Sequence, residues 1–158
     1  MAKSKTNAMR ILDAEKIEYK MMTYSREDGK IDGVSVAEKI GREADIVYKT
    51  LVAQGASKAY YVFLIPVEAQ LDLKKAAKVV KEKKVEMIAV KDIQKITGYI
   101  RGGCSPIGMK KLFPTFIDER SQLLETIIVS GGSIGVQIEL KLENLVKVTN
   151  ATLTDLVK

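Results

Sequence analysis

The stretch Thr97-Gly98-Tyr99-Ile100-Arg101-Gly102-Gly103-Cys104-Ser105-Pro106-Ile107-Gly108-Met109-Lys110-Lys111 is punctuated by glycines at 98, 102, 103 and 108 and stiffened by Pro106. Glycine reaches backbone angles closed to other residues and leaves main-chain N–H groups uncovered. Such a stretch suits a loop lying against a small anionic or carbonyl-bearing ligand. The nucleotide-binding spacings Gly-x-x-x-x-Gly-Lys-Ser/Thr and Gly-x-Gly-x-x-Gly are both missing from it. A tight connection between two elements is the plainer reading of a Gly-Gly pair. A second glycine turn, Val129-Ser130-Gly131-Gly132 followed by Gly135, favours the ligand loop, and two such turns predict a pocket lined by backbone.

Outward from this stretch, helices and strands alternate irregularly. On its N-terminal side Glu86–Val90 reads as a short strand and Lys91–Ile96 as a helix. Beyond it Thr115–Ile117 and Thr126–Ser130 read as buried strands, and Val136–Leu140 as a strand entered through the second glycine turn. A helix over Leu142–Val146 and a β segment near Ala151–Leu153 close the chain. Nearer the start, Asn7 can cap a helix to about Lys16. Ile17–Tyr24 has β character, and Ser25–Gly33 is a polar loop. Ser35-Val36-Ala37-Glu38 matches a capping box, with the helix ending at Gly41. Ile46–Gln54 and Ala59–Val67 flank Gly55-Ala56-Ser57-Lys58 in the manner of a hairpin. Asp72 precedes a helix with Leu73, Ala76, Ala77 and Val80 on one face and Lys74, Lys78 and Lys81 on another. The class this predicts is α+β, a single domain over residues 1–158 with a mixed, curved sheet flanked by short helices and with disorder confined to the ends, residues 1–6 among them.

Composition narrows the chemistry. The chain of 158 residues is 46% hydrophobic and 29% charged, which suits an ordinary soluble domain. Neither an apolar leader nor a membrane-length run is present, so a cytoplasmic location is expected. One cysteine and no histidine leave little from which to build a zinc site, and no metal or cofactor is expected. The missing histidine also removes Ser-His-Asp and Cys-His machinery. Any chemistry must use lysine, carboxylates, tyrosine, hydroxyls, backbone dipoles or groups that the substrate brings. The net charge of +6 fits a polyanionic partner as well as mere solubility.

Among individual residues, Lys49 stands between Tyr48 and Thr50 in a β-forming run. It is either an outward-facing strand lysine or a point charge at the mouth of a pocket. Tyr24 ends an earlier strand, and Ser130 either terminates a strand or offers its hydroxyl to a ligand. Cys104 has nothing in the sequence to lower its pKa and reads as a small apolar residue. Lys74, Lys78 and Lys81 form a stripe that is either a solvated helix face or, with Lys110 and Lys111 beside the glycine loop, a path for a phosphate backbone.

Several blocks in one order carry a more specific signal: Val47-Tyr48-Lys49-Thr50-Leu51, Gln70-Leu71-Asp72-Leu73-Lys74-Lys75, Lys84-Val85-Glu86-Met87, Thr97-Gly98-Tyr99, Gly102-Gly103-Cys104-Ser105-Pro106-Ile107-Gly108 and Val129-Ser130-Gly131-Gly132. Together they resemble the bacterial YbaK/EbsC family of Cys-tRNA(Pro) deacylases, relatives of the editing domain of prolyl-tRNA synthetases. The resemblance runs from about Tyr19 to the end and implies a barrel-like form of the curved sheet. It implies hydrolysis of the ester joining a mischarged amino acid to the 3′ end of tRNA(Pro), beside prolyl-tRNA synthetase and without a cofactor. By the same resemblance Lys49, Gly102, Gly103 and Ser130 are the catalytic residues, and Tyr24, Thr50, Ser105 and Gly131 bind substrate. The chain departs from many relatives at Ser25-Arg26-Glu27-Asp28, where they carry a histidine. The implied mechanism uses the thiol of a cysteinyl substrate. A deacylase for alanine with an activated water, and a non-enzymatic binder of tRNA ends or of a synthetase, are the alternatives.

Overall fold

The computed structural model describes residues 5–158. Its helices are α1 (Asn7–Ala14), α2 (Gly33–Lys39), α3 (Leu73–Val79), α4 (Ile93–Thr97) and α5 (Leu142–Thr149). Its strands are β1 (Lys20–Thr23), β2 (Tyr48–Gly55), β3 (Tyr60–Pro66), β4 (Val85–Met87), β5 (Thr115–Asp118), β6 (Thr126–Ser133), β7 (Val136–Lys141) and β8 (Thr152–Thr154). They form a three-stranded sheet in the order β1-β7-β6 and a five-stranded sheet in the order β4-β2-β3-β5-β8. β3 pairs antiparallel with β2 and parallel with β5, so the larger sheet is mixed.

The centre of that sheet follows from its sequence. Val62-Phe63-Leu64-Ile65 lacks polar alternation, which suits a strand covered on both faces. Val62 and Leu64 turn toward the smaller sheet and pack with Ile127, Val129, Ile138 and Leu140, while α1 adds Ala8, Met9 and Leu12. Phe63 and Ile65 turn the other way, against Ala76 and Ala77 of α3 and the C-terminal Leu156 and Val157. α2 seals the junction of the sheets, packing Ala37 on Val47, Val67 and Ile128.

The expected barrel-like closure does not occur. The two sheets meet just before β2 through an isolated parallel bridge, Val47 to Ile128 on β6. β4 pairs with the same edge of β2 over Ala53–Gly55, and Ile88 just beyond it reaches the Val52 carbonyl. Between these points the edge of β2 is open, and the gap positions the site described below.

Local chemistry moved several expected boundaries. Thr6, rather than Asn7, caps α1 by accepting from the Met9 N–H at 3.2 Å, while the Asn7 amide reaches the Gly108 carbonyl at 2.7 Å. Residues 1–4 of the terminus expected to be disordered lie outside the described residues. Asp32 starts α2 ahead of the expected Ser35, because its carboxylate accepts from both the Ser35 N–H at 3.1 Å and the Ser35 hydroxyl at 2.7 Å. The Val129–Gly132 turn is instead the body of β6, which continues through an irregularity between Ser130 and Ser133 before turning at Ile134-Gly135.

Candidate active site

A cavity of about 160 Å³ fills the gap between β2 and β6. That is below the roughly 300 Å³ of a pocket for a drug-sized ligand, so it suits an amino-acid-sized group. β2 contributes Tyr48, Lys49 and Thr50, and Val47 precedes them. β6 and β7 contribute Ser130 and Gln137, which are paired across the strands. Tyr24, Ile31, Gly33 and Val36 close one wall, Val67 another, and Gly102 and Cys104 arrive from the glycine-rich loop.

Successive strand side chains point to opposite faces, so a cavity touching both Lys49 and Thr50 must reach around the strand edge. The Val52 carbonyl accepts from the Ile88 N–H on the β4 side. The same alternation aims the main-chain N–H of Thr50 into the open gap.

The electrostatics are those of a site awaiting a partner. Burial alone pushes the Lys49 ammonium below the usual lysine value, and no carboxylate offsets it. The Tyr24 hydroxyl and Thr50 Oγ1 are buried with no hydrogen-bond partner among the described residues. Most buried polar groups are paired, so two unpaired hydroxyls and an ammonium without a partner among the described residues, all in the lining of one cavity, single it out as the candidate site. The Tyr48 hydroxyl also lacks a partner among the described residues, and burial, with Asp118 nearby, raises its pKa. Burial holds the Cys104 thiol up at about 11, so it is uncharged near neutrality.

Of the eight residues expected to form the site, the structure brings together Tyr24, Lys49, Thr50, Gly102 and Ser130. Gly103, Ser105 and Gly131 stand behind the lining. A Cβ on Gly103 would lie 2.8 Å from the Ile134 nitrogen, and its N–H is given to the Ile100 carbonyl at 3.0 Å. Ser105 is fully buried, and its hydroxyl accepts from the Ile107 N–H at 3.2 Å. The Gly131 carbonyl accepts from the Thr6 hydroxyl at 2.5 Å. Gly102 has φ +86 and its Cβ position lies 2.9 Å from Ile31 Cδ1, so only glycine fits the loop there. Lys74, Lys78, Lys81, Lys110 and Lys111 are exposed and none lines the cavity.

Sequence reasoning missed Tyr48, Gln137 and the apolar wall of Ile31, Val36, Val47 and Val67. Gln137 reads in the sequence as a solvent-facing strand residue, in phase with Glu139 and Lys141, and only the structure shows it to be 7% exposed. The apolar wall carried no signal distinguishing it from core.

Comparison with known proteins adds a second, independent observation. The model of the aminoacyl-tRNA editing domain matches residues 32–148. A protein of Enterococcus faecalis (strain ATCC 700802 / V583), assigned as the Cys-tRNA(Pro)/Cys-tRNA(Cys) deacylase EbsC, is 46% identical over 152 residues, which cover 96% of this chain and 93% of that protein. The fold matches the crystal structure of a protein assigned as a trans-editing enzyme for prolyl-tRNA synthetase, with a TM-score of 0.83, 23% identity and 99% of each chain covered. It also matches a hypothetical protein, APE2540, with a TM-score of 0.87, 17% identity and 96% and 99% of the two chains covered.

Proposed function

This chain belongs to the aminoacyl-tRNA editing domain family, and we propose that it hydrolyses mischarged aminoacyl-tRNA in trans, with Cys-tRNA(Pro) as its substrate. The observation that carries this reading is that the uncompensated ammonium of Lys49 and the unpaired hydroxyls of Tyr24 and Thr50 belong to the lining of one cavity of amino-acid size. The aminoacyl group occupies the cavity and the terminal ribose lies at its mouth.

The lining contains no nucleophile paired with a base. It does contain the means to hold an ester. With a cysteinyl group bound, the substrate sulfur attacks its own carbonyl carbon, the bond from that carbon to the ribose oxygen breaks, and the thiol proton passes to the ribose oxygen. The product is a thiolactone that water opens. Orientation of this kind converts a slow encounter into a fast intramolecular step. Negative charge on the carbonyl oxygen is met by N–H groups at the open strand edge, that of Thr50 foremost, and by Lys49. Gly103 and Gly132 are poorer donors, their N–H groups being given to the Ile100 carbonyl and the Ser130 hydroxyl. Selectivity then rests on the thiol as much as on fit, since one small substituent changes apolar binding only modestly. The tRNA body docks outside the cavity, prolyl-tRNA synthetase supplies tRNA identity, and the reaction takes place in the cytoplasm.

The test is deacylation of matched Cys-, Ala- and Ser-tRNA(Pro) by purified protein, with Lys49→Ala as control. Cysteine-selective hydrolysis that disappears in the variant is expected. Preference for alanine would move the mechanism to an activated water, and no turnover on any substrate would leave a binding module.

A further inference from the structure

One wall of the cavity is made by a segment with no regular structure of its own. Residues 24–32 join β1 to α2, and Tyr24 and Ile31 near the ends of the segment line the cavity. Ser25 through Lys30 are all exposed, so no apolar contact fixes the middle. A segment of this kind opens easily unless something polar ties it down.

Lys39, at the end of α2, does so. Its Nζ donates to the Ser25 carbonyl at 2.8 Å, to the Lys30 carbonyl at 2.8 Å and to Asp28 Oδ1 at 2.7 Å. Those three bonds use every N–H of an ammonium. The same nitrogen lies 6.0 Å from the centroid of the Tyr24 ring, and only 21% of the Lys39 side chain is exposed. This is unlike a surface ion pair, which contributes little, because one charge gathers main-chain carbonyls from both ends of the exposed stretch. At its far end the segment presses Ile31 against Gly102. At its near end the Tyr24 N–H donates to the Gly135 carbonyl at 3.0 Å.

We infer that Lys39 is a positioning residue: by clamping the 25–30 segment it holds Tyr24 and Ile31 against Gly102, and so fixes the wall that orients the aminoacyl group over Lys49 and Thr50. The inference rests on the cavity being the deacylation site. Lys39 touches no substrate atom and acts through Tyr24 and Ile31. An arginine keeps the charge, but its planar fork cannot converge on three acceptors, so Lys39→Arg restores the function only in part.

The experiment compares wild type, Lys39→Met and Lys39→Arg by amide hydrogen exchange of the free protein and by steady-state deacylation of Cys-tRNA(Pro). In Lys39→Met, exchange over residues 25–31 should accelerate about tenfold or more while the amides of β3 and β6 keep their protection. The kcat should fall about tenfold or more through misplacement of the reacting groups, with KM for the tRNA within about twofold because its body contacts are untouched. Lys39→Arg should fall between the two. Faster local exchange with unchanged kcat would overturn the inference, as would slower turnover without faster exchange. Should Lys39→Met lose cooperative unfolding, Asp28→Asn, which weakens one acceptor on the surface, is read in its place with the same signs. Wild-type protein inactive on every charged tRNA would refute the proposed function and the positioning role of Lys39 in it, while the exchange data would still decide whether Lys39 holds the segment.

Discussion

Lys49 is a charge held where the fold disfavours it. Burial disfavours its charged form and nothing among the described residues offsets the effect. Because its folded-state pKa lies below the unfolded one, this cost to stability is full at low pH and lifts as pH rises toward the ordinary lysine value. Lys49→Met keeps the apolar stem without the charge, so it should leave thermal stability unchanged or raise it by roughly 1 kcal/mol while abolishing deacylation. Melting and turnover measured on one preparation check this, and a fall in both would make Lys49 structural. Cys104 is the converse case, a group inside the cavity with no charge to contribute. Its thiol is held at about 11 by burial, so at neutral pH it is neither thiolate nor base. Cys104→Ala should keep kcat within about threefold and cost about 1 kcal/mol in stability from the small space left behind. Abolished turnover in a folded Cys104→Ala protein would show that the enzyme's own sulfur takes part.

At the level of elements, α2 and its neighbours are fastened to the smaller sheet by charge. Arg42, just beyond α2, makes a fork to Glu139 on β7 at 2.7 and 2.8 Å, and the Thr126 hydroxyl donates to the same carboxylate at 2.6 Å. The Arg42 guanidinium is the first cause holding Glu139 down at about 2. A depressed carboxylate stabilises the fold above its unfolded value, near 4.5, and that contribution is lost as pH falls toward 2. Glu139→Gln should therefore be less stable than wild type at pH 7 by roughly 2–3 kcal/mol, and the gap should close between about pH 4.5 and 2. Urea unfolding across that range checks it, and a gap independent of pH would assign the loss to packing. Neither Arg42 nor Glu139 was legible in the sequence as a pair, because nearly a hundred residues separate them and charged strand residues usually face solvent. What was legible was whatever a single element decides alone: the 55–58 hairpin and the Asp72 cap. The start of α2 was misplaced because two residues could cap it, and the carboxylate of Asp32 reached two donors of Ser35. Gly131 and Gly132 read as a turn because glycine marks both turns and strand irregularities, and only the pairing of β6 with β7 separates the two.

For the whole molecule, the site is a product of how two sheets fail to close, which no local pattern encodes. Lys49, Gly102 and Ser130 were found through blocks of sequence taken together, whereas Tyr48 and Gln137 join them only because β2 and β6 part beyond Val47 and Ile128. The net charge of +6 is also a property of the whole, and it separates two tasks. The cavity holds one lysine, while Lys74 and Lys78 on α3 and Lys110 and Lys111 after the glycine-rich loop are exposed outside it. If these four meet the phosphates of the tRNA body, KM for Cys-tRNA(Pro) should rise with salt on a log–log plot, and replacing all four by alanine should flatten the slope by about 0.9 for each phosphate that is no longer neutralised. The kcat should stay constant, since lysines on the phosphates position the partner without touching the ester. Lys81 is left in place because it closes α3 at φ 59, where a substitution would disturb the helix end. A short cysteinylated substrate lacking the tRNA body should show neither the salt slope nor a response to the four replacements. An unchanged slope in the four-lysine variant would make these residues a solvated surface and move the tRNA path to another face.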